Sequence, residues 1–373
     1  MSFHFQINNY RALQTIDFAP DGVCLIVGAN GCGKTTLLSA IELLRNAFER
    51  GFGNAMDLAG GQMWFTHVDS PPDTPTTFAI ETAGLRWELR PTVYPNGFIY
   101  PIAEKMTQDN QTLFVVEPGD SQFQYNNNTF VTDQRQLALK RIYDFISPSR
   151  EFDGLIQPLV HYQHHVDYNN CWRLARMGSP MSSDTELSVG GQNAFSVLRN
   201  WQSSKPLRER YEFVVEVLKE AFPNFFDDLD FDSAGLTNFI RVYHPKHPDP
   251  LLAHLMSHGF LTTMLHLMAV CSIPDGGIVG IDEPENGLHP YAIHVLMEAC
   301  RQWATEHNLT VLLTTHSPFM LNEFKEEPQR VYVMDQNESK QLTPLTELRD
   351  SEWLRYFALG DLYGKEFARM GDY

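Results

Sequence analysis

The sequence predicts an α/β protein built on a mixed, mostly parallel sheet, with an N-terminal antiparallel β portion and a helical second lobe. Three observations carry this expectation. An apolar run, Val23-Cys24-Leu25-Ile26-Val27, feeds a glycine-rich turn and then an amphipathic helix. A second apolar run, Ile278-Val279-Gly280-Ile281, opens an alternation of helices and strands through residues 309–313 and 330–334. Between the two lie helical patterns near residues 133–146, 192–202 and 206–222, the last closed by Pro223.

In chain order, residues 2–8 and 12–18 alternate as two short strands joined at Asn9-Tyr10-Arg11, and Pro20-Asp21-Gly22 turns the chain into the strand at 23–27. Along residues 35–50, Leu37, Leu38, Ile41, Leu44 and Phe48 fall on one helical face, and Gly51 marks the stop. Residues 52–76 are rich in Gly, Asp and Pro, and 77–89 alternates as a strand returning to the sheet. Residues 94–130 contain Tyr125-Asn126-Asn127-Asn128 and no sustained helical period, so they read as strands and loops. Residues 159–168 alternate like a strand and carry His161, His164 and His165. A strand sends 164 and 165 to opposite faces, and no Cys or carboxylate completes a metal set; these read as surface or core histidines. The loop His244-Pro245-Lys246-His247-Pro248 reads the same way. A helical stretch then runs from Met256 to Cys271, Pro274-Asp275-Gly276-Gly277 turns, and Pro290 opens a helix where its missing N–H costs nothing.

At 373 residues the chain exceeds one average domain, taken at ~150 residues, which suggests two lobes or one domain with a large insertion. No apolar run reaches the ~18 residues that span a bilayer, and the N-terminus lacks the basic and apolar regions of a signal peptide. A cytoplasmic protein without a membrane partner is expected. The five cysteines, at 24, 32, 171, 271 and 300, form no C-x-x-C pair, so neither structural zinc nor a disulfide framework is indicated. A net charge of −18 opposes non-specific attraction to nucleic acid, and the densest basic patch, residues 205–210, already contains Glu209.

The chemistry concentrates in two places. Gly28-Ala29-Asn30-Gly31-Cys32-Gly33-Lys34-Thr35-Thr36 fits the phosphate-binding pattern G-x-x-x-x-G-K-[ST] in the required strand–loop–helix setting. Its glycines let backbone N–H groups reach phosphate oxygens while the helix points its positive end at the same anion. The cradle comprises Asn30, Gly31, Cys32, Gly33, Lys34, Thr35 and Thr36, with Cys32 at a free position where a small side chain suffices. Lys34 neutralises β- and γ-phosphate charge, and the Thr35 hydroxyl is offered to Mg2+. The second place is Asp282-Glu283 at the end of an apolar strand: Asp282 reaches Mg2+, directly or through water, and Glu283 polarises the attacking water. His316, ending the next strand, is placed to hydrogen-bond the γ-phosphate.

Together these residues resemble the ATP-binding-cassette (ABC) ATPase head, a P-loop NTPase, in the subclass that includes RecF, the SMC proteins and OLD-type nucleases. The resemblance rests on 28–36, on 278–283, on Pro284-Glu285-Asn286-Gly287-Leu288-His289-Pro290 in the D-loop place, and on His316 in the switch place. It covers residues 1–50 and 250–335 well and the middle in outline. Residues 353–363 are similar to the tail of compact bacterial ATPases of the RecF-like group, which are commonly encoded beside a nuclease or Toprim-like protein in anti-phage loci.

Such heads carry a signature L-S-x-G, offered here twice, as Glu186-Leu187-Ser188-Val189-Gly190-Gly191-Gln192 and as Met256-Ser257-His258-Gly259. In the family the signature opens the helix directly ahead of the acid-bearing strand, which selects Met256–Gly259, with Ser257 and Gly259 as γ-phosphate contacts acting on a second subunit. The family's Mg2+-shell glutamine is matched by Gln163, with Gln62 as the alternative. The resemblance implies a nucleotide-binding lobe of residues 1–93 and 274–345, an irregular β segment at 94–168, a helical lobe at 169–273 carrying the signature, and a helical tail at 346–373. It implies an ATPase with ATP and Mg2+ as cofactors. It also implies a homodimer or higher homo-oligomer formed through a nucleotide sandwich, and a separately encoded effector in phage defence or DNA maintenance. The alternatives are the nucleotide-binding subunit of a membrane transporter, disfavoured by the Met-Ser-His-Gly signature, and a RecF-type repair ATPase binding DNA directly, disfavoured by the acidity.

Overall fold

The computed structural model describes residues 3–61, 65–71, 74–93, 101–133, 135–146, 151–166, 168, 171–335 and 341–348. Its centre is a six-stranded sheet in the spatial order Gln163–His165, Ile278–Asp282, Thr310–Thr315, Val23–Val27, Val331–Met334 and Leu342–Pro344. All neighbours are parallel except the last pair. The three middle strands are buried at every residue, as near-continuous apolar runs covered on both faces must be.

Side-chain alternation divides the two cores. Val23, Leu25, Val27, Val279, Ile281, Val311 and Leu313 face one core, shared with the helices Ala194–Ser203, Arg208–Ala221, His258–Ser272 and Pro290–Glu306. Cys24, Ile26, Ile278, Leu312 and Met334 face the other, filled by the helix Lys34–Arg50 and an antiparallel sheet. That second sheet orders Leu13–Phe18, His4–Tyr10, Thr77–Thr82, Leu85–Pro91, Ile102–Gln108 and Gln111–Val116. The phosphate-loop helix is thereby sandwiched between two sheets, and its buried residues run from Lys34 to Phe48.

Several sequence expectations shift. The single strand expected over 77–89 is a hairpin, because Ala83 and Gly84 adopt φ 48° and 80° and reverse the chain. The alternation expected over 159–168 survives only at Gln163–His165; a helix, Asp153–Val160, occupies the approach. The strands Ile102–Gln108 and Gln111–Val116, within the 94–168 segment, continue the N-terminal antiparallel sheet. The lobe expected to be helical also contains a small sheet built on Asp228–Ala234 and Thr237–Tyr243, whose alternate residues Asn238, Ile240 and Val242 are buried. Gln62 and residues 353–363 lie outside the described residues.

Candidate functional site

The phosphate loop leaves the sheet at Val27 and turns at once into the helix. Gly28 must be glycine, since a Cβ there would stand 2.5 Å from the Met334 carbonyl oxygen and 2.7 Å from Cys32 Sγ. Gly33 takes φ 112° as N-cap, a conformation that excludes other residues, and has no side chain to cap the helix. The anion-attracting end of a 17-residue helix therefore faces the loop. Lys34, buried, lays its ammonium across the loop and donates to the carbonyls of Gly28 (2.8 Å) and Ala29 (3.1 Å). Burial raises the Cys32 thiol above its usual range, against the nearby Lys34 charge and hydrogen bonding. Cys32 is therefore a neutral, packed residue of the loop.

Asp282 ends its strand level with Thr314 and is 7% exposed. Its Oδ1 accepts from Thr314 Oγ1 (2.6 Å) and its Oδ2 lies 3.0 Å from His164 Nε2. Burial alone would raise this carboxyl, but hydrogen bonds from His164, Thr314 and Thr35, with the His164 charge, hold it below its usual value. Thr35 and Asp282 thus converge from opposite ends of the chain. A hydroxyl and a carboxylate form the hard-oxygen pair that suits Mg2+, which takes few protein ligands and completes its shell with phosphate and water.

His164 is the residue that sequence reading passed over. Its ring is buried between Asp282 and Glu42, whose Oε2 is 3.7 Å from Nδ1. Burial opposes its charge, yet bonding to the two carboxylates raises its pKa to about 8. Gln163 is not brought to this cluster. It shares the other strand face with His165, its Oε1 3.1 Å from His165 Nε2, because successive strand residues alternate. His165 contacts the Val189 carbonyl and Tyr168, and burial lowers its pKa to about 4. The two histidines do take opposite faces, and His164, which the sequence leaves as a surface or core histidine, adjoins Asp282.

Glu283 sits just past the strand in the left-handed region, φ 46°, its N–H bonded to the Thr314 carbonyl (3.1 Å). That backbone costs roughly 1–2 kcal/mol in a non-glycine residue. It aims the side chain so that Oε1 meets His316 Nδ1 (2.9 Å) while Oε2 accepts from Asn286 Nδ2 (3.0 Å). Both members of the Glu283–His316 pair remain partly open to solvent.

Ser257 caps the helix His258–Ser272, accepting from the Phe260 N–H (3.2 Å), and that helix leads through the turn at 274–277 into the acid-bearing strand. A Cβ on Gly259 would come within 3.1 Å of the Gly287 carbonyl, so this helix start packs on the 284–290 segment. Ser188 instead bonds Gln192 within a loop (3.0 Å).

The profile of the family described as "AAA domain, putative AbiEii toxin, Type IV TA system" matches residues 23–322. A search of curated proteins returned no match. Among solved structures, the chain is similar to an SMC head bound to the C-winged helix domain of ScpA. Identity is 13%, the TM-score is 0.50, and 86% of this chain and 91% of that one are covered. It is also similar to the SMC head domain from Thermotoga maritima, at 12% identity, TM-score 0.46, and coverage of 92% and 98%. At these identities the likeness concerns the fold.

Proposed function

The chain belongs to the AAA-domain family that this profile defines and has the fold of an ABC-type ATPase head of the RecF/SMC-like group, and on that footing we propose that it hydrolyses ATP as a nucleotide-driven switch. One observation carries the reading: Thr35, Asp282, Glu283 and His316 gather beside Lys34 at the carboxyl ends of three adjacent parallel strands. Ligands bind at such strand ends in open α/β sheets.

Lys34 exchanges its two loop carbonyls for β- and γ-phosphate oxygens. Thr35 and Asp282 hold Mg2+, which when bound neutralises phosphate charge. His164, buried against Asp282, takes the place the family gives to a glutamine. Glu283 orients the water that attacks the γ-phosphorus and accepts its proton as the bond to the β-phosphate oxygen breaks, releasing ADP and phosphate. His316 steadies Glu283 and the γ-phosphate. Ser257 and Gly259 complete the site of a second head, so that ATP closes a homodimer and hydrolysis reopens it. A separate effector reads the closed state; the protein partner on the similar SMC head and the toxin–antitoxin description of the family support that arrangement and a defence setting. No described helix is long and apolar enough to cross a membrane, and a cytoplasmic site fits the five free cysteines.

The test is ATP turnover by the purified protein with Mg2+. Glu283→Gln should lower kcat by ~10²–10⁴-fold while nucleotide still binds and dimers accumulate. Lys34→Ala should lose nucleotide binding. Ser257→Arg should keep nucleotide binding but block ATP-driven dimerisation in light scattering. Unchanged turnover in Glu283→Gln would remove the assigned base, and an intact dimer in Ser257→Arg would remove the signature.

A further inference from the structure

The segment 284–290 contains a carboxylate that the proposed mechanism leaves unused. Glu285 lies in a polar string and would be expected in solvent, yet it is 8% exposed and turned inward. Its Oε1 accepts the hydroxyl hydrogen of Thr315, while Oε2 is buried with no hydrogen-bond partner among the described residues. Buried polar atoms are nearly always paired, and a chain selected for stability alone would place an apolar residue here.

The position explains the tolerance. Thr315 is wholly buried at the end of its strand, and its Oγ1 both donates to Glu285 and accepts from the Ser317 N–H (2.8 Å). His316 is therefore held between two residues fixed from below. Glu285 also ties the other side. Its carbonyl accepts from the Leu288 N–H (3.0 Å), and the adjoining Asn286 bonds Glu283 through both backbone (3.1 Å) and side chain (3.0 Å). One carboxylate thus links the turn carrying Glu283 to the strand end carrying His316. Those two side chains are themselves 33% and 47% exposed, so their 2.9 Å contact takes its geometry from the buried layer beneath.

We propose that Glu285 is a positioning residue for hydrolysis: through Thr315 and Ser317 it sets His316 against Glu283. Burial pushes the Glu285 carboxyl above its usual range, with Glu283 adding to the effect and Thr315 and the His316 charge opposing it. A neutral acceptor oxygen is enough for this role, which makes glutamine the conservative stand-in.

This inference rests on the hydrolytic reading above, and its test separates the two. Glu285→Ala and Thr315→Val should each lower kcat by ~10-fold with direct nucleotide affinity unchanged, and the double variant should be no worse than either single one. Glu285→Gln should restore most of the loss. The His316 imidazole resonance, assigned with His316→Gln, should move in Glu285→Ala and Thr315→Val and stay in place in Glu285→Gln. Full turnover in both Glu285→Ala and Thr315→Val, or an unmoved His316 resonance in both, overturns the role. So does a Glu285→Gln variant as impaired as the alanine. If Glu285→Ala does not fold, Thr315→Val breaks the same link from the other side. A wild-type protein with no ATP turnover would refute hydrolysis, and the resonance measurement would still decide whether Glu285 places His316.

Discussion

Replacing Gly280 with alanine tests how closely the acid-bearing strand is clamped to the phosphate-loop helix. A Cβ there would stand 2.6 Å from the Tyr162 hydroxyl oxygen, closer than a Cβ approaches any atom in folded proteins, and a tight 3.2 Å from both methyl carbons of Leu38. Tyr162 cannot swing away, because it is wholly buried and its hydroxyl donates to the Leu38 carbonyl within the phosphate-loop helix (3.0 Å). Overpacking of this kind costs about 1–3 kcal/mol. Tyr162→Phe loses a buried hydrogen bond, about 1 kcal/mol, and also removes the atom that the new methyl meets. The double variant should therefore be more stable than the two single costs imply, by about 1–2 kcal/mol, in equilibrium urea unfolding. Asp282 lies two residues further along the same strand, so Gly280→Ala should also weaken Mg2+-dependent nucleotide binding, and Tyr162→Phe should recover part of it. Strictly additive unfolding energies, or a Gly280→Ala variant as stable as wild type, would refute the reasoning.

Two further outcomes concern buried ionisable groups. Glu104 accepts from Trp87 Nε1 (2.9 Å) and from the Ala138 and Leu139 N–H groups (2.6 and 2.8 Å), so Glu104→Ala strands three buried donors and should cost about 2–4 kcal/mol in unfolding free energy. Burial pushes this carboxyl from 4.5 up to about 7 against those three bonds; its contribution is full below pH 4.5 and fades as pH rises through 7, so the cost of the substitution should shrink between pH 5 and pH 8 in urea titrations. His164 is raised from 6.5 to about 8, so its ion pairs with Asp282 and Glu42 stabilise the fold below pH 6.5 and are lost as pH rises through 8. His164→Ala should destabilise by about 2 kcal/mol at pH 6 and by much less at pH 9; an equal cost at both would exclude the charged pair.

The parts of the site legible in the sequence were those whose chemistry is written contiguously. Residues 28–36 announce a phosphate cradle because glycine, lysine and threonine stand at fixed offsets between a strand and a helix, and Asp282-Glu283 stand out against the apolar run before them. Partnerships between distant segments were not legible. Nothing in Gln163-His164-His165 says which residue faces Asp282, because a three-residue strand has no measurable period and its register is fixed by pairing with Val279, Gly280 and Ile281. The inward turn of Glu285 has no sequence signal either, because a turn residue belongs to no period. The 77–89 hairpin was hidden because apolar residues recur along the whole stretch, and only Gly84 and the change of phase from Phe78 and Ile80 to Leu85, Trp87 and Leu89 mark the reversal.

The order of the central sheet has a consequence for synthesis. Val23–Val27 is made early, but both of its neighbours, Thr310–Thr315 and Val331–Met334, come from the far end of the chain. A strand with two unpaired edges and an apolar surface must therefore wait until residues through 334 have emerged before both edges are paired. The phosphate loop at its tip cannot meet Asp282 before then. Nascent chains should be inert toward ATP, dependent on chaperones to shield that strand, and intolerant of interruption anywhere before residue 334.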